Sequence, residues 1–276
     1  MATIEGARGN DHLTGTAAAD RIYAREGDDI LKGRSGDDWL FAGVGNDVLT
    51  GGAGDDSLLF FSSYDSYEWW RSPIGIGNDV LNGGDGNDLF RSGGGNDKLL
   101  GGRGADTLRS GDGVDTVKGG SGDDMLHLDW DDVSFRPGWI YGPGPDTVGL
   151  PEKVKFVALR DALISGGGGT DRLVVDFSKL DLDLTAVAND RIRGIEIIDL
   201  AEGYPEGYGV KKRLTLNRAD ILDMSFSTDT LTILGEKGDK VDIVGNFVDE
   251  GVSDGFHRYK LGAATLLVDT DINHVG

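Results

Sequence analysis

The chain has 276 residues and a formal net charge of −21, with 48 acidic residues against 27 basic ones. This charge opposes binding to nucleic acid and to anionic membrane surfaces, and it favours cations as partners. Glycine supplies 46 residues and cysteine none, which excludes disulfides and thiolate metal sites and indicates a fold that does not depend on an ordinary apolar core alone.

Residues 1–11 contain no basic segment followed by an apolar one, so we expect no cleavable signal peptide. No apolar run approaches the ~20 residues of a membrane-spanning helix, so we expect no membrane insertion. If the protein leaves the cell, it uses a route that does not read the N-terminus.

A nine-residue repeat dominates the first half of the chain. In twelve repeats an aspartate recurs at a fixed step and an apolar residue follows it by two positions; glycine precedes it by two in eleven of them. We number the repeat so that the aspartate is position 6 and the apolar residue position 8. The aspartates are Asp11, Asp20, Asp29, Asp38, Asp47 and Asp56, then Asp79, Asp88, Asp97, Asp106, Asp115 and Asp124.

The pattern predicts a tight turn over positions 1–6 and a three-residue strand over positions 7–9, with position 8 pointing inward. A strand this short cannot bury its side chain alone, so successive repeats must stack, with two repeats in each coil. Aspartates eighteen residues apart, such as Asp11 and Asp29, then share one edge. Position 5 is Asn or Asp in nine repeats, which fits either a left-handed turn residue or a calcium ligand.

Carboxylates stacked ~5 Å apart repel one another unless a cation lies between them. Calcium takes 6–8 hard oxygen ligands in flexible geometry, and glycine turns leave carbonyl oxygens free to supply several. Magnesium requires a tighter octahedron, and the four histidines have no spacing that suits zinc, copper or iron. The alternative is that each aspartate only forms a turn.

The segments GGAGDDSLL at 51–59 and GGDGNDLFR at 83–91 resemble the RTX, or haemolysin-type, calcium-binding repeat. The resemblance covers residues 6–127 and implies a parallel β-roll, with Ca²⁺ held between stacked turns by the motif aspartates and backbone carbonyls. Position 2 departs from glycine in the first four repeats, at Ala7, Thr16, Arg25 and Arg34. We therefore expect Asp88, Asp97 and Asp106 to matter more than Asp11 and Asp20.

Two insertions interrupt the repeat, at residues 60–73 and 128–140, and each runs into another G-x-G-x-D, ending at Asp79 and Asp146. If they separate two blocks, about eight ions are expected, whereas an unbroken roll of twelve repeats would hold about ten. The insertions either cover apolar flanks of the roll or form a sugar-stacking platform. The candidate ligand-binding residues in them are Tyr64, Tyr67, Trp69, Trp70, Trp130 and Trp139.

Beyond residue 149 the repeats stop, except for GGGGTDRLV at 166–174 with Asp171. Short alternating runs predict strands, and Asn217 followed by RADILDMS predicts a capped short helix. The complete prediction is an all-β chain: a parallel β-roll over 1–149, followed by a β-rich C-terminal domain with few helices over 150–276.

Segments such as NDRIRGIEIIDL, LTLNRADILDMS, GEKGDKVDIVG and ATLLVDTDINHV resemble the C-terminal region of RTX adhesins exported by type I secretion. The resemblance implies an uncleaved C-terminal export signal read by the type I secretion machinery, folding on extracellular calcium, and a secreted or cell-surface location, with a Gram-negative bacterium as the source. The alternative for the last residues is an ordinary terminal hairpin.

No metalloprotease, nucleophile-elbow or P-loop motif is present, so we expect no enzyme. The leading function is a secreted calcium-binding module of adhesin type. A free-standing protein that binds polysaccharide through the aromatic insertions, and the non-catalytic tail of a secreted hydrolase, are the alternatives.

Overall fold

The computed structural model describes residues 1–59, 77–111, 114–128, 163–175, 181–187, 191–200, 212–225 and 228–275. Most of these residues form strands, and the strands stack in parallel as coils of a roll. The predicted parallel β-roll is therefore confirmed. Asp146 and the six aromatic candidates of the insertions lie outside the described residues.

Two sheets form the walls of the roll. The roll strands of the first wall, which we call the long sheet, are β1 Thr3–Glu5, β3 Arg21–Glu26, β5 Trp39–Val44, β7 Ser57–Leu59, β9 Leu89–Arg91, β11 Thr107–Arg109, β13 Met125–Leu128 and β15 Arg172–Val175. Those of the opposite wall, the second sheet, are β2 His12–Thr14, β4 Ile30–Ser35, β6 Val48–Ala53, β8 Val80–Asp85, β10 Lys98–Arg103, β12 Thr116–Ser121 and β14 Leu163–Gly168.

The pairing register confirms the coil of two repeats. Arg21 pairs with Trp39, and Lys98 pairs with Thr116, each a step of eighteen residues. Many strands are six residues long rather than the predicted three, because pairing continues through positions 1–3 of the next repeat. The turn proper is therefore shorter than the sequence pattern indicates.

The roll is not divided by the first insertion. β6 pairs with β8 and β7 pairs with β9, so Ser57 and Leu89 lie side by side in neighbouring coils, as they would if the insertion were absent. In the same way β13 pairs with β15 and β12 with β14 across the second insertion. The repeats thus form a single unbroken stack, which is the arrangement that gives five gaps on each edge.

Position 8 side chains fill the space between the walls. From Ile22 to Leu126 they are at most 4% exposed, while Leu13 in the first coil is only partly buried. Each coil adds one large apolar residue from each wall, and neighbouring coils cover it above and below. Burial of a Leu of this kind contributes about 1.5–3 kcal/mol, and only when the coils are stacked.

The C-terminal part continues the long sheet and adds a third one. Its elements are β16 Asp181–Asp183, a 3₁₀ turn at Leu184–Ala186, β17 Ile192–Arg193, β18 Ile197–Asp199, β19 Arg213–Asn217, α1 Arg218–Met224, β20 Thr230–Leu234, β21 Lys240–Val244, β22 Val248–Ser253, β23 Phe256–Leu261, β24 Ala264–Asp269 and β25 Asn273–Val275. β18, β20, β24, β23 and β22 extend the long sheet, β17 ends the second, and β16, β19, β21 and β25 form the third.

The helix α1 begins as the sequence predicts. The Asn217 side chain accepts hydrogen bonds from the N–H groups of Ala219 and Asp220, and Asp220 returns one to the N–H of Asn217, which completes a capping box. In the long sheet β13, before residue 150, pairs directly with β15, after it, and the division into two domains stays a prediction. In the described part of the chain no helix is long and apolar enough to cross a membrane.

Candidate calcium sites in the turns

The motif aspartates form two columns, one along each edge of the roll. We call the first the glycine edge, because position 1 of its turns is always glycine; it carries Asp20, Asp38, Asp56, Asp88, Asp106, Asp124 and Asp171. The second is the insertion edge, where both insertions begin; it carries Asp11, Asp29, Asp47, Asp79, Asp97 and Asp115. The predicted assignment of aspartates to alternate edges is confirmed by the register.

From Asp29 onward, one carboxylate oxygen of each described motif aspartate joins its turn to the preceding one on the same edge. The Oδ1 atom of Asp106 accepts a hydrogen bond of 2.8 Å from the backbone N–H of Asp88, and that of Asp97 accepts one of 2.8 Å from the N–H of Asp79. The same bond spans the insertion, from the N–H of Asp47 to Asp79. These bonds form a continuous ladder that holds the coils in register.

The other carboxylate oxygen, Oδ2, is buried without a hydrogen-bond partner in most of the turns. The aspartates concerned are at most 3% exposed. Ten of the described residues share this feature: Asp29, Asp38, Asp47, Asp56, Asp79, Asp88, Asp97, Asp106, Asp124 and Asp171. Since a buried, unpartnered carboxylate oxygen costs several kcal/mol, about ten of them in one roll require a common compensating partner.

On the glycine edge that oxygen faces a backbone carbonyl of the next turn. A Cβ atom placed on Gly101 would collide with both Oδ2 of Asp106 and the carbonyl oxygen of Gly119. The same pair of oxygens surrounds position 1 at Gly33, Gly83 and Gly119. Each turn therefore brings a carboxylate oxygen and a carbonyl oxygen together around a space that only glycine leaves open.

This arrangement fits calcium. Two hard oxygen atoms, one of them anionic, converge from consecutive turns, and the carboxylate oxygen has no hydrogen-bond donor. Among the described residues no three His, Cys, Asp or Glu side chains converge on one point, so any ion would take most of its ligands from the backbone. Glycine turns can supply such ligands because their carbonyls are accessible.

Burial alters the acidity of these carboxylates. Loss of hydration raises the pKa of Asp47 and Asp106 to about 6, of Asp56 and Asp124 to about 7, and of Asp79 to about 8, with neighbouring carboxylates adding to the effect for all but Asp106. A raised pKa means that the folded roll without a cation prefers to take up protons. Protons and calcium thus compete for the same oxygens.

The first two turns behave differently. Oδ2 of Asp11 accepts a hydrogen bond of 2.7 Å from the N–H of Ala7, and Oδ2 of Asp20 accepts bonds from the N–H and the hydroxyl of Thr16. The N–H groups of Ala2 and Thr16 lower the pKa of Asp20, opposite in direction to the pKa shifts of Asp47, Asp56 and Asp79. These two carboxylates are satisfied by the chain itself.

The next two departures from glycine at position 2 keep the glycine conformation. Arg25 and Arg34 both adopt a φ of 92°, a region that costs a non-glycine residue on the order of 1 kcal/mol or more. As a result the Oδ2 atoms of Asp29 and Asp38 remain unpartnered, like those of the later turns. All four early repeats lack glycine at position 2, but they are not alike. In the first two the aspartate Oδ2 is hydrogen-bonded, and in the next two the backbone at position 2 is strained.

Of the two alternatives for position 5, the left-handed turn residue is wrong for the described repeats, and the calcium ligand stays a prediction. None of the described Asn or Asp residues at this position has a positive φ. Instead their side-chain oxygen accepts a hydrogen bond from the next coil, as in the bond of 2.7 Å from the N–H of Asn96 to Asn78 and that of 3.0 Å from the N–H of Asp55 to Asp37. This outer ladder points forward along the stack, whereas the Oδ1 ladder points back.

Sequence reasoning missed Glu196, which ends the column of the glycine edge. Its Oε2 atom accepts a hydrogen bond of 3.0 Å from the N–H of Asp171, the bond that an aspartate Oδ1 makes elsewhere. The carbonyl oxygen of Gly194 faces Gly166 together with Oδ2 of Asp171. In the pairing register Gly194 lies beside Gly166, at position 1 of a shortened turn, although in sequence Gly194-x-Glu196 has the spacing of positions 4–6 with Glu in place of Asp, and this was the available signal.

The insertion edge is built with different side chains at position 1. Apart from Gly6 in the first turn, the described residues at this position are Ala24, Ala42, Ser92 and Ser110, all buried. The Ser92 hydroxyl donates a hydrogen bond of 2.5 Å to the carbonyl oxygen of Ser110, so a side chain satisfies a carbonyl that on the glycine edge faces a carboxylate. The two edges therefore offer calcium different ligand sets.

Fold and turns together define a parallel β-roll with carboxylates stacked along both edges. A family model of the RTX calcium-binding nonapeptide repeat matches the chain in four copies, at residues 3–31, 23–58, 75–99 and 92–126. These parts of the chain match RTX calcium-binding repeats, which confirms the resemblance seen in the sequence. The matches end before the C-terminal part, and its resemblance to adhesins is not supported by any of them. A comparison with curated proteins gives no significant match.

Proposed function

We propose that this protein is a calcium-binding module whose roll folds when Ca²⁺ enters its turns, with the motif aspartates from Asp29 onward and Asp171 as ligands. The observation that supports this most strongly is the set of ten buried Oδ2 atoms without a donor. On the glycine edge they face carbonyl oxygens of the next turn. One ion for each such oxygen gives about ten ions, close to the number expected for an unbroken roll.

Electrostatics couples the ions to folding. A chain with a net charge of −21 and two columns of aspartates resists compaction, and cations that bind only the folded form stabilise it by mass action. Because the apolar core consists of one residue for each repeat, little else opposes the conformational entropy of the unfolded roll. Calcium at the ~10⁻⁴–10⁻³ M typical of extracellular modules should then induce the strands.

A calcium titration followed by circular dichroism tests this proposal. The chelated chain should contain far fewer strands than the structure does, and strand content should rise cooperatively with added Ca²⁺ but not with equal Mg²⁺. Native mass spectrometry of the titrated protein should show about ten ions. A fully folded calcium-free roll with an unchanged melting temperature, or only one or two bound ions, would contradict it.

The proposal extends to export. RTX repeats are typical of secreted proteins, and folding that requires calcium would keep the chain unfolded in a cytosol poor in that ion. We place the protein outside a Gram-negative cell after type I secretion, in an adhesin-type role without catalytic activity. Coexpression with a type I apparatus should deliver the full chain to the medium, and deletion of residues 264–276 should retain it in cells. Equal export of both would contradict a C-terminal signal.

One observation favours a polysaccharide ligand as a second candidate. On the long sheet, Tyr23 stacks on Phe41 with ring centroids 4.6 Å apart, and Trp39, which is 44% exposed, lies beneath the guanidinium of Arg21. Of these rings only Trp39 is exposed, and an exposed aromatic ring can stack on a sugar ring. A glycan array with and without calcium, repeated with Trp39→Ala, should show calcium-dependent binding that the variant loses; no binding to any glycan would remove this candidate.

A further inference from the structure

Beyond the last nonapeptide, a lysine stands where the roll has an aspartate. Arg213 pairs with Lys240, so Lys212 and Asp239 occupy the same place in successive coils, immediately before the third-sheet strand. The N–H of Lys212 donates a hydrogen bond of 2.8 Å to Oδ1 of Asp239. This is the bond that joins each motif aspartate to the next in the roll.

The ammonium of Lys212 binds the carbonyls that begin the turns on the insertion edge. It donates to the carbonyl oxygen of Val175 at 2.7 Å and to that of Leu200. Val174 pairs with Asp199, so these two carbonyls follow corresponding strand residues in neighbouring coils. Val175 lies four residues after Asp171, so it is position 1 of the next turn. Leu200 lies four residues after Glu196 and corresponds to it.

The carbonyl oxygens of two residues at position 1 therefore accept hydrogen bonds from a positively charged side chain of the protein itself. Lys212 is only 6% exposed, and a buried ammonium is stable only where oxygen atoms satisfy it. In the roll, an aspartate at the same place leaves an oxygen that needs a cation from solution. Lysine at that place supplies the cation and removes the need for it.

The following turn is also complete without an ion. Oδ2 of Asp239 accepts a hydrogen bond of 2.9 Å from the N–H of Glu236, and its Oδ1 is used by Lys212. Asp239 thus resembles Asp11 and Asp20, whose Oδ2 atoms accept hydrogen bonds from their own turns. At this place in the two coils, Lys212 has no carboxylate and both carboxylate oxygens of Asp239 are hydrogen-bonded. The unpartnered oxygen of the proposed calcium sites is therefore missing from both turns.

We infer that Lys212 is a tethered cation that takes the place of Ca²⁺ in the turn before β19, so that β19 and β21, with the coils that carry Val175 and Leu200, remain folded when calcium is absent from the nonapeptide turns. The inference uses the proposed role of the roll turns as cation sites. It differs from that proposal in assigning a cation site that calcium does not fill.

Hydrogen exchange of the full chain in a calcium chelator tests this inference. The amides of Leu214, Leu216 and Val241 should exchange slowly with and without calcium. Lys212→Ala should speed their exchange at least tenfold in chelator, and Lys237→Ala, which removes an exposed lysine of the following turn, should leave it unchanged. Rapid exchange of these amides in the chelated parent protein, or slow exchange in Lys212→Ala, would overturn the inference.

Chemical rescue separates a tethered cation from a side chain that merely fills space. Propylammonium replaces the lost ammonium with its three N–H donors, whereas tetramethylammonium carries the same charge without a donor. Propylammonium should restore slow exchange to Lys212→Ala and tetramethylammonium should not; failure of propylammonium would overturn the inference. Because calcium is absent throughout, these outcomes are independent of whether the amides of the roll, such as that of Leu99, respond to calcium.

Discussion

The turns around Asp11 and Asp20 and the turns from Asp29 onward share a motif aspartate, yet their Oδ2 atoms meet different partners. In the first two turns a backbone N–H from position 2 satisfies the oxygen. In the later turns whose position 2 is described, that residue has a positive φ, as at Arg34 and Gly102, and Oδ2 is left buried and unpartnered in the ten turns named above. The backbone conformation at position 2, rather than the aspartate itself, thus distinguishes a closed turn from one that requires a cation.

The largest effect that separates the two groups should come from pH. Without calcium, the raised pKa values of the later aspartates stabilise the folded roll below the ordinary value of 3.8, and this stability is lost as pH rises through about 6 to about 8. In calcium-free buffer, strand content should therefore increase on lowering the pH from about 9 to about 5. Circular dichroism would measure this, and a decrease would refute it.

Asp20 should respond in the opposite direction. Its pKa is lowered, so its contribution is present above the ordinary value and is lost as pH falls through the lowered one. Acid should thus compact the later turns without strengthening the first coil.

With calcium present, the midpoint of the calcium titration should shift to higher concentration when the pH is lowered from about 8 to about 6, because protons compete for Oδ2.

A smaller but more local effect is expected from Asp106→Asn compared with Asp11→Asn. The first change keeps an oxygen for the N–H of Asp88 and removes the charge of Oδ2, so one ion should be lost and the calcium midpoint should rise roughly three- to tenfold, or about 0.7–1.4 kcal/mol. Asp11→Asn should retain every ion. Native mass spectrometry and calcium titration would check both, and equal losses would show that the two groups do not differ.

Glycine at position 1 of the glycine edge should tolerate no side chain. Gly101→Ala places a methyl group against Oδ2 of Asp106 and the carbonyl of Gly119, and we expect it to lower the free energy of unfolding in saturating calcium by about 1–3 kcal/mol. Gly168→Ala is the matched control, because its Cβ would have nothing within 4 Å. Denaturant unfolding would measure both. A Gly101→Ala protein as stable as the control would be inconsistent with two oxygen atoms packed against position 1.

The smallest effect concerns the strained arginine. Arg34→Gly relieves a φ of 92° and should raise the free energy of unfolding by up to about 1 kcal/mol. Thr16→Gly, at the same position of the preceding coil on the same edge, removes a hydroxyl bonded to Asp20 and should lower the free energy of unfolding. Thermal unfolding of the two variants in calcium should give shifts of opposite sign; shifts of the same sign would argue against different backbone states.

Much of the roll could be predicted because its determinants repeat. The nine-residue step of Asp11 to Asp56 implies stacking, the apolar residue at position 8 implies the core, and two repeats for each coil imply the two edges. The helix cap at Asn217 could also be predicted, since the residues that form it lie within four positions of one another. Local patterns of this kind carry their own physical explanation.

The rest depended on contacts between distant residues. Pairing of β6 with β8 across the first insertion was open, because an insertion's length does not say whether the coils on either side touch. Glu196 and Lys212 were missed because each replaces the motif aspartate with a different residue while keeping its backbone hydrogen bond. The different states of Thr16 and Arg34, both non-glycine at position 2, likewise became apparent only from the backbone.

The position of the insertions has a consequence for engineering. Both depart from the insertion edge, after β7 and after β13, and the coils on either side keep their register. Between these two points lie three steps of the long sheet, a separation of roughly 14 Å. Peptides grafted at these places would be displayed along one line, at intervals that can be chosen in increments of about 4.8 Å by adding or removing whole eighteen-residue coils.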